Sequence, residues 1–239
     1  MDDPGGPPVV LGDGTGPHVF VTAIDPPVLA DDDRHHLARV LRVRPGDALT
    51  VSDGAGRWRQ CRFGDELEVA GDIIEVPAPQ PALTIGFALV KGDRPELIVQ
   101  KLTELGVDVI APFVAERSVV RWDHDRAARH VERLRKVARE ASMQSRRVYL
   151  PTVASAVAFS EVLEGARGPV ALAQRGGSQP SLRCHTVLIG PEGGWSPNEL
   201  SSSCQLLSFG DQVLRAETAS ITVAAVLTAL RSGLVQSND

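Results

Sequence analysis

Apolar and polar positions change their spacing near residue 77, and the change predicts two domains. Upstream, short β-rich runs alternate with turn signals. His18 to Thr22 reads as a strand. Asp31 to Leu41 reads as a short helix, with acidic residues at its start and Leu37, Val40 and Leu41 at helical spacing. Ala48 to Ser52, Arg57 to Phe63 and Leu67 to Val76 read as strands, divided by Pro45-Gly46-Asp47, Asp53-Gly54 and Gly64-Asp65. Strands at this spacing predict a small β-barrel over 18–76. Pro77, Pro79 and Pro81 alternate and continue neither a strand nor a helix, so 77–81 reads as a stiff linker.

Beyond the linker, strands alternate with helices. Leu83 to Val90 is an apolar strand. Asp93 opens a helix with Pro95 in its first turn, and Gly106 stops it. Val107 to Val114 is the next strand. Asp125 to Ser142 is amphipathic, with Val131, Leu134, Val137 or Ala138, and Ala141 facing inward. Val170 to Ala173, Thr186 to Ile189 and Gln205 to Phe209 read as strands; Pro197 to Ser203 and Glu217 to Arg231 read as helices. The alternation predicts a mostly parallel α/β sheet over 82–239.

Composition narrows the class. The 239 residues are 43% apolar and 23% charged, which excludes a disordered chain, a collagen and a disulfide-knotted miniprotein. The three cysteines form no CxxC pair, which argues against a zinc site and for a reducing, cytoplasmic compartment. Residues 1–17 are rich in Gly, Pro and Asp and read as a disordered leader without the basic start and apolar run of a signal peptide. Ala219 to Leu230 is too short and too often interrupted to span a bilayer, so no membrane role is expected. The net charge of −5 hides a basic segment: Arg121 to Arg147 carries nine basic and four acidic residues. That is either a solvated helix face or a surface for phosphates.

Two loops carry candidate chemistry. In Leu188-Ile189-Gly190-Pro191-Glu192-Gly193-Gly194-Trp195, three glycines follow an apolar strand and precede a helix start. Glycine permits positive φ and close backbone approach to a ligand, and α/β folds bind cofactors at the carboxyl ends of strands. The pattern is neither GxGxxG nor GxxxxGK[ST], so dinucleotide and P-loop readings fail. A tight strand-to-helix turn would explain it equally. The second loop is Phe209-Gly210-Asp211-Gln212-Val213-Leu214-Arg215-Ala216-Glu217-Thr218-Ala219. Glu217 suits a helix start, but an arginine immediately before it is odd for a mere cap.

Gly-Pro-Glu-Gly-Gly followed some twenty residues later by Val-Leu-Arg-Ala-Glu-Thr-Ala resembles the signature of the RsmE family, small-subunit (16S) ribosomal RNA uracil-N3 methyltransferases of the SPOUT superfamily. Further pieces agree in order: His36-Leu37-Ala38-Arg39-Val40-Leu41-Arg42, Lys91-Gly92-Asp93-Arg94, Gln100-Lys101-Leu102-Thr103-Glu104-Leu105-Gly106-Val107, Glu116-Arg117-Ser118 and Gln144-Ser145-Arg146-Arg147. The resemblance spans residues 18–232. Two positions depart from the family pattern: Gln212 stands where relatives usually carry Arg, and Arg146 where they usually carry Gly.

The resemblance implies an N-terminal PUA-like RNA-binding barrel and a C-terminal SPOUT α/β domain with a deep trefoil knot. It implies S-adenosyl-L-methionine as methyl donor, held by Leu188, Gly190, Pro191, Glu192, Gly193, Gly194, Phe209, Gly210, Leu214, Thr218 and Ala219. It also implies a homodimer with each active site near the subunit interface, and small-subunit rRNA, free or assembled, as partner.

The chemistry then assigns roles. Methyl transfer from a sulfonium is an in-line displacement that needs no metal and depends on positioning. Uracil N3 must lose its proton, and a cation near O2 or O4 would stabilise the anion. Arg215 is the first candidate, and Arg117 and Lys91 are secondary ones. Glu217 either takes the proton or orients Arg215; orientation is favoured, because a carboxylate engaged with a cation is a poor base. Arg34, His36, Arg39, Arg42, Lys91, Arg146 and Arg147 are the RNA-binding candidates, through backbone phosphates. Trp58 and Trp122 would stack on unpaired bases if exposed. Two alternatives stay open: a catalytically silent rRNA-binding assembly factor, and a SPOUT methyltransferase acting on another nucleotide.

Overall fold

The computed structural model describes residues 16–122, 124–202 and 204–236. The chain divides into two units, one ending at Ala78 and including Ser142–Leu150, the other made of Pro79–Ala141 and the chain from Pro151 onward. Most of the expected leader lies outside the described residues.

The first unit contains β1 (His18–Phe20), β2 (Ala23–Ile24), β3 (Pro27–Val28), α1 (Asp31–His35), β4 (Ala48–Ser52), β5 (Arg57–Arg62), β6 (Glu68–Val69) and β7 (Ile74–Glu75). Its five-stranded sheet runs β1-β4-β5-β6, with β7 also on β5. The expected helix through Leu41 changes character after His35: His36–Val40 is a π-helical turn that buries Leu37. The expected strand over Leu67 to Val76 is two short strands, because Gly71 and Asp72 interrupt it and both halves pair with β5. Alternation on β4 and β5 places Leu49, Val51 and Cys61 in a core with Val19, Leu37, Phe63 and Leu67.

Residues 142–150 were expected in the second domain, but their backbone contacts lie in the first unit. The carbonyls of Arg147 and Val148 accept from His18 Nε2 at 3.0 Å and Ser52 Oγ at 2.8 Å, and Tyr149 donates its hydroxyl to the Val76 carbonyl at 2.7 Å. Hydrophobic periodicity cannot reveal such partners, because each contact is made by backbone or a single side chain.

The second unit contains β8 (Thr84–Ala88), α2 (Arg94–Glu104), β9 (Val109–Val114), α3 (His124–Gln144), β10 (Thr152–Val153), β11 (Val157–Ala158), α4 (Phe159–Gly165), β12 (Val170–Ser178), β13 (Thr186–Ile189), α5 (Pro197–Leu200), β14 (Gln205–Leu207) and α6 (Ala216–Arg231). Its seven strands are all parallel, in the order β10-β9-β8-β13-β12-β14, with β11 beside β9. Ile85, Phe87, Ile110, Val187 and Ile189 are buried between helices, as parallel strands covered on both faces require. α2 and α6 contribute Ile98, Leu102, Val223 and Leu227, and α3 contributes Leu134 and Ala138. The α6 C-terminus is anchored by Arg231, which pairs with Asp108 and donates to the Gly106 carbonyl at 2.7 Å. No helix of the described residues is long and apolar enough to cross a membrane.

Candidate active site

Adjacency of β13, β12 and β14 brings the loops after β13 and β14 together beside the outer part of β12. The loop after β13 is shaped by its glycines. Gly194 has φ +68°, a left-handed conformation that disfavours any side chain. Gly190 is required by close approach: a Cβ there would lie 2.9 Å from Cε2 of Trp195. Trp195 cannot easily yield. It is buried, donates from Nε1 to the Ala173 carbonyl at 3.1 Å, and stacks on Phe113 with centroids 6.1 Å apart. Ser196 and Glu199 then form a reciprocal cap on α5. The buried Glu199 carboxylate also accepts from the Glu116 amide at 2.9 Å, which ties the Glu116-Arg117-Ser118 segment to this loop.

These loops enclose a cavity of about 280 Å³. Of the expected donor-binding residues, Gly190, Pro191, Glu192, Gly194, Phe209, Gly210, Leu214 and Ala219 line it. Leu188, Gly193 and Thr218 do not. Leu188 is wholly buried, packed where a Cβ on Gly86 would meet its Cδ2 at 2.5 Å. Thr218 is on the exposed side of α6, and its backbone carbonyl accepts from the Thr222 hydroxyl at 2.8 Å. Gly193 instead offers its carbonyl to Arg117 Nη1 at 3.2 Å, which brings Arg117 to the loop.

The ion pairs differ from the expectation. Among the described residues Arg215 and Glu217 form no pair. Arg215 is the exposed N-cap residue of α6, and its side chain makes no capping bond. Residues two apart at a helix start diverge, which separates them. Glu217 faces Arg94 at 4.0 Å, and Arg94 also holds Glu192 at 2.8 Å. The second carboxylate oxygen of Glu217 is buried without a hydrogen-bond partner. Arg94 lies in the motif quoted from the sequence but was given no role there. Gln174 and Arg175 also line the cavity and were missed, because β12 runs on past its apolar stretch; the Gly176-Gly177 pair was the available signal.

The other candidates are not among the residues that line this cavity. Lys91 lines a second cavity of about 210 Å³ with Glu96, Trp122 and His130. Trp122 stacks on His130 with centroids 4.5 Å apart. In the first unit His36, Arg39 and Arg42 are exposed, and Arg42 has φ +56°. Arg34 is half-buried, donating to the Gly64 carbonyl with its guanidinium 6.0 Å from the centre of the Phe63 ring. Trp58 is buried and packs against Val148, so it offers no face to a base. Arg146 donates to the Gly16 carbonyl and has φ +56°, a conformation that favours glycine. The bond to Gly16 makes it a structural anchor rather than a free cation. Arg147 is half-buried beside it. Among the described residues no group of three His, Cys, Asp or Glu side chains has metal-binding geometry.

Comparison with known proteins agrees with this architecture. Residues 77–228 match the RNA methyltransferase domain family, and residues 29–68 match the RNA methyltransferase PUA domain. The chain is 34% identical to a ribosomal RNA small subunit methyltransferase E from Synechocystis, over 82% of this chain and 70% of that protein. It is 30% identical to the protein of the same name from Mycobacterium bovis, over 86% of this chain and 87% of that one. The crystal structure of a ribosomal RNA small subunit methyltransferase E from Neisseria gonorrhoeae, bound to S-adenosyl methionine, superposes with a TM-score of 0.72 at 28% identity, covering 90% of this chain and 97% of that one. The chain belongs to the RNA methyltransferase family, with the ribosomal RNA small subunit methyltransferases E as its relatives.

Proposed function

We propose that this protein transfers a methyl group from S-adenosylmethionine to N3 of a uridine in small-subunit ribosomal RNA. The observation that carries the reading is the cavity at the ends of β12, β13 and β14, where two segments twenty residues apart close on one space. The residues fit the donor. A Cβ at Gly194 would meet nothing within 4 Å, so the loop fronts open space. Ile189, Leu214, Ala219 and Val223 supply an apolar wall for a purine, and Gln174, Arg175, Glu192 and Gln212 supply polar groups. When bound, the donor supplies a methyl group already activated on sulfur.

The chain's own residues must orient the base and manage its charge. Loss of the N3 proton leaves a negative charge shared with O2 and O4. Arg215 is exposed and unpaired among the described residues, at the edge of the segment that lines the cavity. Its guanidinium is free to face that charge. Glu217 has an unpartnered carboxylate oxygen and only a long contact to Arg94, so accepting the proton becomes the better role for it than orienting Arg215. Arg117, fixed to Gly193, holds the loop in shape.

The same reading extends to the whole chain. The first unit closes as a PUA-like barrel and binds rRNA, with His36, Arg39 and Arg42 on phosphates. The second unit threads a trefoil knot through the Gly190–Gly194 region. Two chains pair as a homodimer in the cytoplasm, each site completed near the interface. The test is labelled methyl transfer to deproteinised small-subunit rRNA and to assembled small subunits, followed by digestion and mass spectrometry. N3-methyluridine is the expected product; a different methylated nucleoside, or none with either substrate, overturns the reading.

A further inference from the structure

The donor cavity is electrostatically uneven. Its lining contains one basic side chain, Arg175, and one acidic side chain, Glu192. Glu192 is already held by Arg94 at 2.8 Å. Arg175, among the described residues, has no ion-pair partner, so a ligand entering the cavity meets one uncompensated positive charge.

The backbone presents that charge. β12 continues through Ser178, but its register with β14 breaks between Ala173 and Ser178. A bulged stretch re-aims side chains that a regular strand would alternate. The Trp195 bond to the Ala173 carbonyl fixes the strand two residues before Arg175. Gln212, on the opposing loop, lines the same cavity and contributes no charge.

We propose that Arg175 receives the carboxylate of the amino-acid end of the methyl donor, an inference that rests on the donor-site reading above. The donor's polarity matches the cavity's: a purine for the apolar wall, and an amino acid for the polar side. A guanidinium can grip a carboxylate with two parallel N–H···O bonds. No other side chain lining the cavity carries a positive charge for that carboxylate.

Calorimetry with two ligands tests this: S-adenosylmethionine and its decarboxylated form, which lacks only the carboxylate. Arg175→Gln should weaken S-adenosylmethionine at least tenfold and leave the decarboxylated ligand unchanged. Arg175→Lys should lose less. Gln212→Arg in the Arg175→Gln background should recover part of the affinity. Circular dichroism checks that each variant folds, which an exposed side chain permits. An equal loss for both ligands would overturn the proposal, because the carboxylate would then be irrelevant. So would unchanged S-adenosylmethionine binding with weakened RNA binding, which would make Arg175 a phosphate contact. If the unsubstituted chain binds neither ligand, the donor-site reading itself falls, and that failure is distinct from the others.

Discussion

Gly190→Ala offers a sharp test of how the donor loop is built. The new Cβ would lie 2.9 Å from Cε2 and 3.1 Å from Cδ2 of Trp195, closer than carbon atoms pack. The ring has little room to move, with Phe113 and Phe159 at centroid distances of 6.1 and 5.7 Å. Overpacking of this kind costs about 1–3 kcal/mol. If the ring tilts away, its bond to the Ala173 carbonyl is lost, at a further cost of about 1 kcal/mol. Gly194→Ala is the control. Its Cβ meets nothing, so only the φ of +68° is penalised, by about 1–2 kcal/mol. For a protein of this size each kcal/mol shifts Tm by roughly 2–4 °C. Gly190→Ala should therefore melt roughly 5–15 °C below the parent, and Gly194→Ala only a few degrees below it. Differential scanning fluorimetry reads both. Equal shifts, or a larger shift for Gly194→Ala, would refute the argument that Trp195 fixes the loop.

Other outcomes follow from single contacts. His18 is buried, and burial pushes its pKa down to about 4 from 6.5, with the Arg147 carbonyl opposing and Arg146 reinforcing the shift. The folded ring stays neutral while the unfolded one takes a proton, so the first unit should be fully stable above pH 6.5 and lose up to about 3 kcal/mol on approaching pH 4; urea titrations should show the slope, and His18→Gln should flatten it. Arg231→Met should destabilise the second unit by about 3 kcal/mol, because it takes the guanidinium away from the half-buried Asp108 carboxylate and from the Gly106 carbonyl. Adding Asp108→Asn should recover part of that loss in the same melting experiment.

The sequence revealed what repeats and missed what happens once. Val131, Leu134, Ala138 and Ala141 lie inward on α3 because a helical period shows in four positions together. Strands β4 and β13 keep their expected ends because turns and apolar runs bound them clearly. Short pieces such as β2, β3, β10 and β11 have two residues each, too few for any period to appear. The placement of 142–150 with the first unit depends on backbone carbonyls, which every sequence has. At the site, the glycine loop was legible because glycine marks unusual backbone. The Arg94 links to Glu192 and Glu217 join residues about a hundred positions apart, and nothing local marks them. Arg215 and Glu217 look paired in the sequence because they are close along the chain. The start of α6 sends them different ways, and only the fold supplies the competing partner.

The role of Arg215 is where the account is most exposed. Its test is the single-turnover rate of Arg215→Ala at saturating rRNA, measured beside S-adenosylmethionine affinity. Affinity should stay within twofold of the parent while the rate falls by roughly 10²–10³, the scale seen when one preorganised stabiliser of developing charge is removed. That deficit should persist as RNA is raised and salt is lowered. A rate restored by more RNA or less salt would contradict the account, because Arg215 would then be a phosphate contact.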